Sequence, residues 1–269
     1  MAEEKKDMSF LEHLEELRRR LVRAALGVLV GVIIIVWFHE FIVSQIIMGP
    51  RRADFVTYRA FCSWSQKIGL GDQLCLTPPQ MDLQSTTMSG AMNADIVVCL
   101  LGGIIIAFPW VFWQIWSFVK PGLRAKEQNM VNGIVLFVSL LFFAGIAFGY
   151  FVLAPLSVQF LGNYTFADVK NAPTLLSYLK LTTSLVFGTG LLFQLPVLVY
   201  FLAKIGLVTS AFLKKYRRHA FVVNLIISAI LTPPDVTSQL LVALPIVLLY
   251  ELSILLAVRV EKRQATEVV

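Results

Sequence analysis

Six apolar runs, at roughly 21–43, 96–118, 131–154, 179–203, 220–231 and 236–258, constrain this chain more than any motif does. Several reach or approach the ~20 residues that carry a helix across a bilayer. Composition agrees. Of the 269 residues, 57% are hydrophobic and only 15% are charged, too few charges for a soluble domain of this size. The sequence therefore reads as an all-α membrane protein, a single integral membrane domain over residues 1–269. Six transmembrane helices are expected to form a concave bundle, with short fifth and sixth helices and an outer-loop cap.

Six crossings return the chain to the side on which it began. Lysine and arginine then set the orientation, because they concentrate in cytoplasmic loops. Of the 23, only Arg51, Arg52, Arg59, Lys67, Lys170 and Lys180 fall in the opposite loops. Both termini are thus expected in the cytoplasm. The net charge of +6 reflects this asymmetry and does not point to nucleic acid. The first apolar run is long, continuous and not followed by an A-x-A-type site, so it reads as a retained span and not a cleaved signal peptide. Cys62 and Cys75 lie in the large outer loop, where an oxidising compartment would allow a disulfide. Two unpaired thiols are the alternative.

The stretch Gly49–Ala94 is the largest segment outside the spans. Its Tyr58, Phe61, Trp64 and Pro78-Pro79 suggest a folded cap. The outer loop at about 155–178 reads as short helices lying along the surface. AFPWVFWQ, FQLPVLVY and VALPIVLLYE place Pro109, Pro196 and Pro245 inside even-numbered spans. Proline removes a backbone hydrogen bond and bends a helix, so three bent helices would build a concave wall. Proline is also simply common in membrane helices. The fifth run, Ala220 to Leu231, spans about 18 Å as a helix, against a hydrocarbon core of roughly 30 Å. A thinned bilayer, a re-entrant hairpin or polar neighbours around its tip would each accommodate it.

Much chemistry is absent. The chain has no G-x-x-x-x-G-K-[ST] loop, no H-E-x-x-H, no C-x-x-C and no G-x-S-x-G. No enzyme activity, metal or cofactor is expected, and any transport work would draw on an outside source such as a proton gradient.

Ionisable groups inside spans are costly and need an explanation. Glu251 sits roughly 10 Å from the inner end of the sixth span. A lysine or arginine partner from an inner loop is expected there, or else a protonated carboxyl. Gln114, Gln194, Asn224 and Gln239 are neutral and suit bonds between helices. In LTPPDVTSQ, Pro233 and Pro234 end one helix and Asp235 is placed to cap the next. Gln239 follows near that helix's outer end. At the N-terminus, FLEHLEELRRRL (Phe10 to Leu21) puts three glutamates and three arginines directly before the first span. Glu15 with Arg19, and Glu16 with Arg20, are four apart, the spacing of helix-surface ion pairs.

Four motifs resemble the TatC family, the polytopic component of the twin-arginine protein translocase. They are HLEELRRRL at 13–21, FPWVFWQIWSFVKPGLRAKE at 108–127, FGTGLLFQLPV at 187–197, and LTPPDVTSQ at 231–239 followed by LPIVLLYE. Their order and spacing match along nearly the whole chain, though the outer loop around Cys62 and Cys75 is longer than usual.

The resemblance implies a receptor and core subunit in the bacterial cytoplasmic (inner) membrane. Such a subunit binds twin-arginine signal peptides and moves folded proteins with the proton-motive force. By resemblance, Glu16, Arg18, Phe118, Pro121 and Glu127 belong to signal-peptide binding. Pro50, Asp235 and Gln239 match positions at the outer side, the last two near where single-span TatA-type and TatB-type partners dock. With Gln194, Pro233, Pro234 and Glu251 they make up the docking or structural set. A homo-oligomer within the complex is also implied. The family often carries glutamate where this chain has Gln194, which cannot ionise. A small-molecule secondary transporter is the alternative, but neither a buried charge cluster near the midplane nor clear inverted halves is evident.

Overall fold

In a computed structural model of the chain, residues 10–69, 71, 75, 82–119, 131–165, 172–232 and 236–268 are described. Helices account for nearly all of them: α1 (Phe10–Trp37), α2 (His39–Phe41), α3 (Val56–Ile68), α4 (Gly90–Val119), α5 (Val131–Phe148), α6 (Ala154–Asn163), α7 (Leu175–Leu192), α8 (Leu195–Lys204), α9 (Ser210–Lys215), α10 (Arg217–Leu231) and α11 (Val236–Val268). Among the described residues five stretches are long and apolar enough to cross a membrane: Leu14–Trp37, Gly90–Phe118, Gly133–Asn163, Leu175–Lys204 and Gln239–Lys262. The remaining apolar helix, α10, has 15 residues, about 22 Å of rise. The chain folds as two compact units, one of Met1–His39 with Cys99–Leu140 and one of Glu40–Val98 with Leu141–Val269.

In the first unit α1 lies against α4 at glycine. A Cβ on Gly31 would stand 2.4 Å from the Gly103 carbonyl oxygen, and one on Gly27 would stand 2.3 Å from Trp110 Cδ1. Gly27 and Gly31 form a G-x-x-x-G pair, which lets membrane helices approach closely where lipid offers no hydrophobic drive. The Trp110 indole also donates to the Arg23 carbonyl at 3.1 Å.

In the second unit hydroxyl groups take up carbonyls that helix breaks release. Pro155 has no amide to give the Phe151 carbonyl four residues earlier, and the Thr57 hydroxyl donates to that carbonyl instead. A π-helical turn at Ile42–Ile47 ends at Met48, ahead of Pro50. The Ile46 carbonyl then accepts from Tyr150 (2.7 Å) and the Ile47 carbonyl from Tyr178 (2.8 Å). The Tyr58 hydroxyl lies 2.7 Å from the Pro50 carbonyl oxygen and 3.1 Å from that of Pro155. Burial raises the pKa of the Tyr58 phenol, so it stays a donor. Around these bonds Ile47, Ala94, Val98, Val158, Tyr178 and Leu179 form an apolar cluster. The segment that includes α3 is a folded cap, and Cys62 and Cys75 are bonded within it.

Helix limits depart from the apolar runs for identifiable reasons. α1 starts at Phe10, ahead of the run that begins near 21, because Glu–Arg pairs extend the helix through polar sequence. The third span continues past Pro155. A π-helical turn at Gly149–Leu153 leads directly into α6, so 155–163 is helix continuing that span and not a separate surface helix. Pro109 and Pro245 lie inside unbroken helices, whereas the fourth span breaks at Phe193–Gln194 ahead of Pro196.

The sixth helix, expected to be short, has 33 residues. Its polar continuation is held by long-range bonds: the Ser210 amide and hydroxyl donate to Glu261 at 2.6 and 2.5 Å, and Gln264 Nε2 donates to the Lys204 carbonyl at 2.9 Å.

Candidate functional site

Glu16 and Arg18 stand on the first turns of α1, whose opening residues FLEHLEEL are mostly Leu and Glu, good helix formers. Arg18 is exposed. Glu16 is half-buried, and Arg20 Nη2 and Nε donate to its Oε1 at 2.9 and 3.3 Å. Glu15 and Arg19 make a looser pair at 3.7 Å. A glutamate preceding an arginine by four residues is the favoured orientation, worth about 0.3–0.5 kcal/mol. That is weak enough for another guanidinium to displace Arg20. Phe118 is half-buried near the end of α4. Pro121 and Glu127 lie outside the described residues.

The other unit carries the remaining polar groups. Glu251, in the middle of α11, accepts from Arg217 Nη2 at 2.7 Å. Arg217 opens α10, so the ion pair ties the two helices together. One residue earlier, the Tyr250 hydroxyl donates to the Leu213 carbonyl of α9 at 2.9 Å. Ala203, Leu213, Ile254, Ala257 and Val260 pack beside these bonds. Gly206, at φ +78°, turns the chain after α8 in a conformation that favours glycine. Together these contacts hold the segment between α8 and α10 against α11.

Gln239 Nε2 donates to the Leu225 carbonyl of α10 at 3.2 Å, a bond between two helices of the chain. Gln194 occupies the turn between α7 and α8, where its carbonyl accepts from the Val197 and Leu198 amides. Pro50 is fully buried beneath Tyr58. Pro233, Pro234 and Asp235 lie outside the described residues. Sequence reasoning missed the tyrosine bonds to Ile46, Ile47 and Pro50, and the glycine contacts of α1. The G-x-x-x-G spacing of Gly27 and Gly31 was the available signal for the latter.

A family model described as Sec-independent protein translocase protein (TatC) matches residues 12–245. The chain belongs to the TatC family. A TatC protein of Blattabacterium sp. subsp. Periplaneta americana is 35% identical over 98% of this chain and 100% of its own length. TatCy of Bacillus subtilis is 32% identical over 93% of this chain and 89% of its own. Among solved structures, a crystal structure of the twin arginine translocase receptor TatC in DDM superposes with a TM-score of 0.71, at 30% identity over 91% of this chain and 99% of that one. A second TatC receptor structure gives 0.67 at 28% identity, covering 93% and 100%. The helical membrane fold and the place of this chain among TatC translocase subunits rest on these likenesses.

Proposed function

We propose that this TatC-family protein is the receptor subunit that recognises twin-arginine signal peptides at the cytoplasmic face of a bacterial inner membrane. It acts with single-span TatA-type and TatB-type subunits, and with further copies of itself, to move folded proteins using the proton-motive force. The observation that carries this reading is the match to solved TatC receptors over nearly the full chain. The basic bias of the loops that would face the cytoplasm supports the orientation.

In this reading Glu16 and Glu127 share the two arginines of the leader. A guanidinium presents a planar fork that meets a carboxylate with two parallel bonds, which an ammonium cannot do. Oε1 of Glu16 takes both Arg20 donors, so an arriving arginine engages Oε2 or replaces Arg20. By resemblance to the family, Arg18, Phe118 and Pro121 belong to the same recognition set. Exposed ion pairs contribute about 0.2–1 kcal/mol each. Burial of the leader's apolar segment contributes about 0.8 kcal/mol per methylene. The carboxylates therefore supply selectivity and the apolar contacts most of the affinity.

Pro50, Gln194, Pro233, Pro234, Asp235, Gln239 and Glu251 act as structural or partner-docking positions. With Gln194 unable to ionise, no titrating carboxyl is required at that place in the fourth span. The test is export of a folded, twin-arginine-tagged reporter in cells lacking their own TatC. Restored export supports the reading. Failure despite normal membrane insertion and coexpressed partner subunits contradicts it.

A further inference from the structure

The first unit carries a groove between α1 and α4 that none of the residues assigned to leader recognition lines. Its walls are Leu26, Val30, Ile34, Ile106 and Trp110, and Arg23 stands at one end. The groove has a volume of about 410 Å³. The wall residues are exposed, with Val30 56% and Ile106 44% accessible. From Arg23 to Ile34 the helix rises about 16 Å, half of a hydrocarbon core of roughly 30 Å. The groove therefore has the depth of one leaflet. The Trp110 indole sits at the Arg23 end, bonded to the Arg23 carbonyl, which is where tryptophan settles at a membrane interface.

We propose that this groove binds one acyl chain of an anionic phospholipid, with the lipid phosphate on the Arg23 guanidinium. Charge decides the occupant. Arg19 and Arg20 are paired with Glu15 and Glu16, while Arg23 forms no salt bridge among the described residues. Arg23 offers a cation at headgroup depth above apolar walls. A cationic leader would be repelled there. A transmembrane helix from another protein would need the small residues for close approach. Gly27 and Gly31 also line the groove, but both already lie against α4, at Trp110 and Gly103.

The test uses the purified full chain in dodecyl maltoside, titrated with phosphatidylglycerol or neutral phosphatidylcholine and read by native mass spectrometry. The first bound phosphatidylglycerol is expected to be preferred. Arg23→Gln should lower its affinity about fivefold, the weight of one basic residue at an anionic surface, and leave phosphatidylcholine unchanged. Ile106→Trp, which fills the groove, should weaken both lipids. Unchanged phosphatidylglycerol binding in either variant overturns the proposal, as does an equal loss of both lipids in Arg23→Gln. A photoreactive residue at Val30 that captures protein in native membranes, and not lipid, overturns it as well.

Discussion

Arg217 and Glu251 form a 2.7 Å ion pair that joins the first turn of α10 to the middle of α11. The two residues are 34 apart in sequence, and both side chains remain about half exposed. A carboxylate in a membrane helix thereby gains a counter-charge. Each single alanine variant should be mildly less stable. The coupling between them, from a double-mutant cycle of thermal unfolding in detergent, should fall at about 0.2–1 kcal/mol. Zero coupling contradicts a stabilising role for the pair.

Tyr58 should matter more. Its hydroxyl serves two carbonyls at proline breaks, and Tyr58→Phe leaves them buried without that donor, at a cost of about 1–3 kcal/mol. The pH response has a definite sign. Burial raises the folded-state pKa of Tyr58, so the unfolded chain ionises first. The contribution of Tyr58 is full below an unfolded value of about 10 and is lost as pH rises beyond it. Thermal unfolding between neutral and alkaline pH should show a steeper fall in the parent chain than in Tyr58→Phe.

Of the two α1 glycines that meet α4, Gly31 is the one that lies against backbone. An added Cβ would meet backbone and not a flexible side-chain end. Gly31→Ala should cost about 1–3 kcal/mol through overpacking, read as a lower unfolding temperature. Gly133, with nothing near its missing Cβ, is the control and should tolerate alanine.

The polar end of α11 should protect the segment after α8. Glu261→Gln weakens the bonds to Ser210, and Gln264→Ala removes the bond to Lys204. The double variant should be cleaved faster by protease between residues 205 and 216, with the apolar spans unaffected. Equal cleavage rates contradict the brace.

Apolar length made the membrane helices legible, because a bilayer imposes it. The Glu16–Arg20 pair was legible for a local reason, since spacing of four decides it. Contacts across the fold were not. Nothing near Glu251 names Arg217 as its partner, and nothing near Ile46 or Ile47 names Tyr150 and Tyr178. The continuation of α11 past 258 carries no apolar signal, and bonds to Ser210 and Lys204 hold it. Gly27 and Gly31 announce a close helix contact, but only the fold identifies α4 as the helix they meet.

Recognition of the leader is tested most directly by site-specific photocrosslinking in membranes from positions 17 and 126, next to Glu16 and Glu127, so that both carboxylates stay in place. A twin-arginine leader should be captured at both positions, a twin-lysine leader much more weakly. Glu127→Ala should reduce the preference for arginine in capture from position 17. Equal capture of the two leaders by the parent chain, or a preference unchanged by Glu127→Ala, would contradict the account.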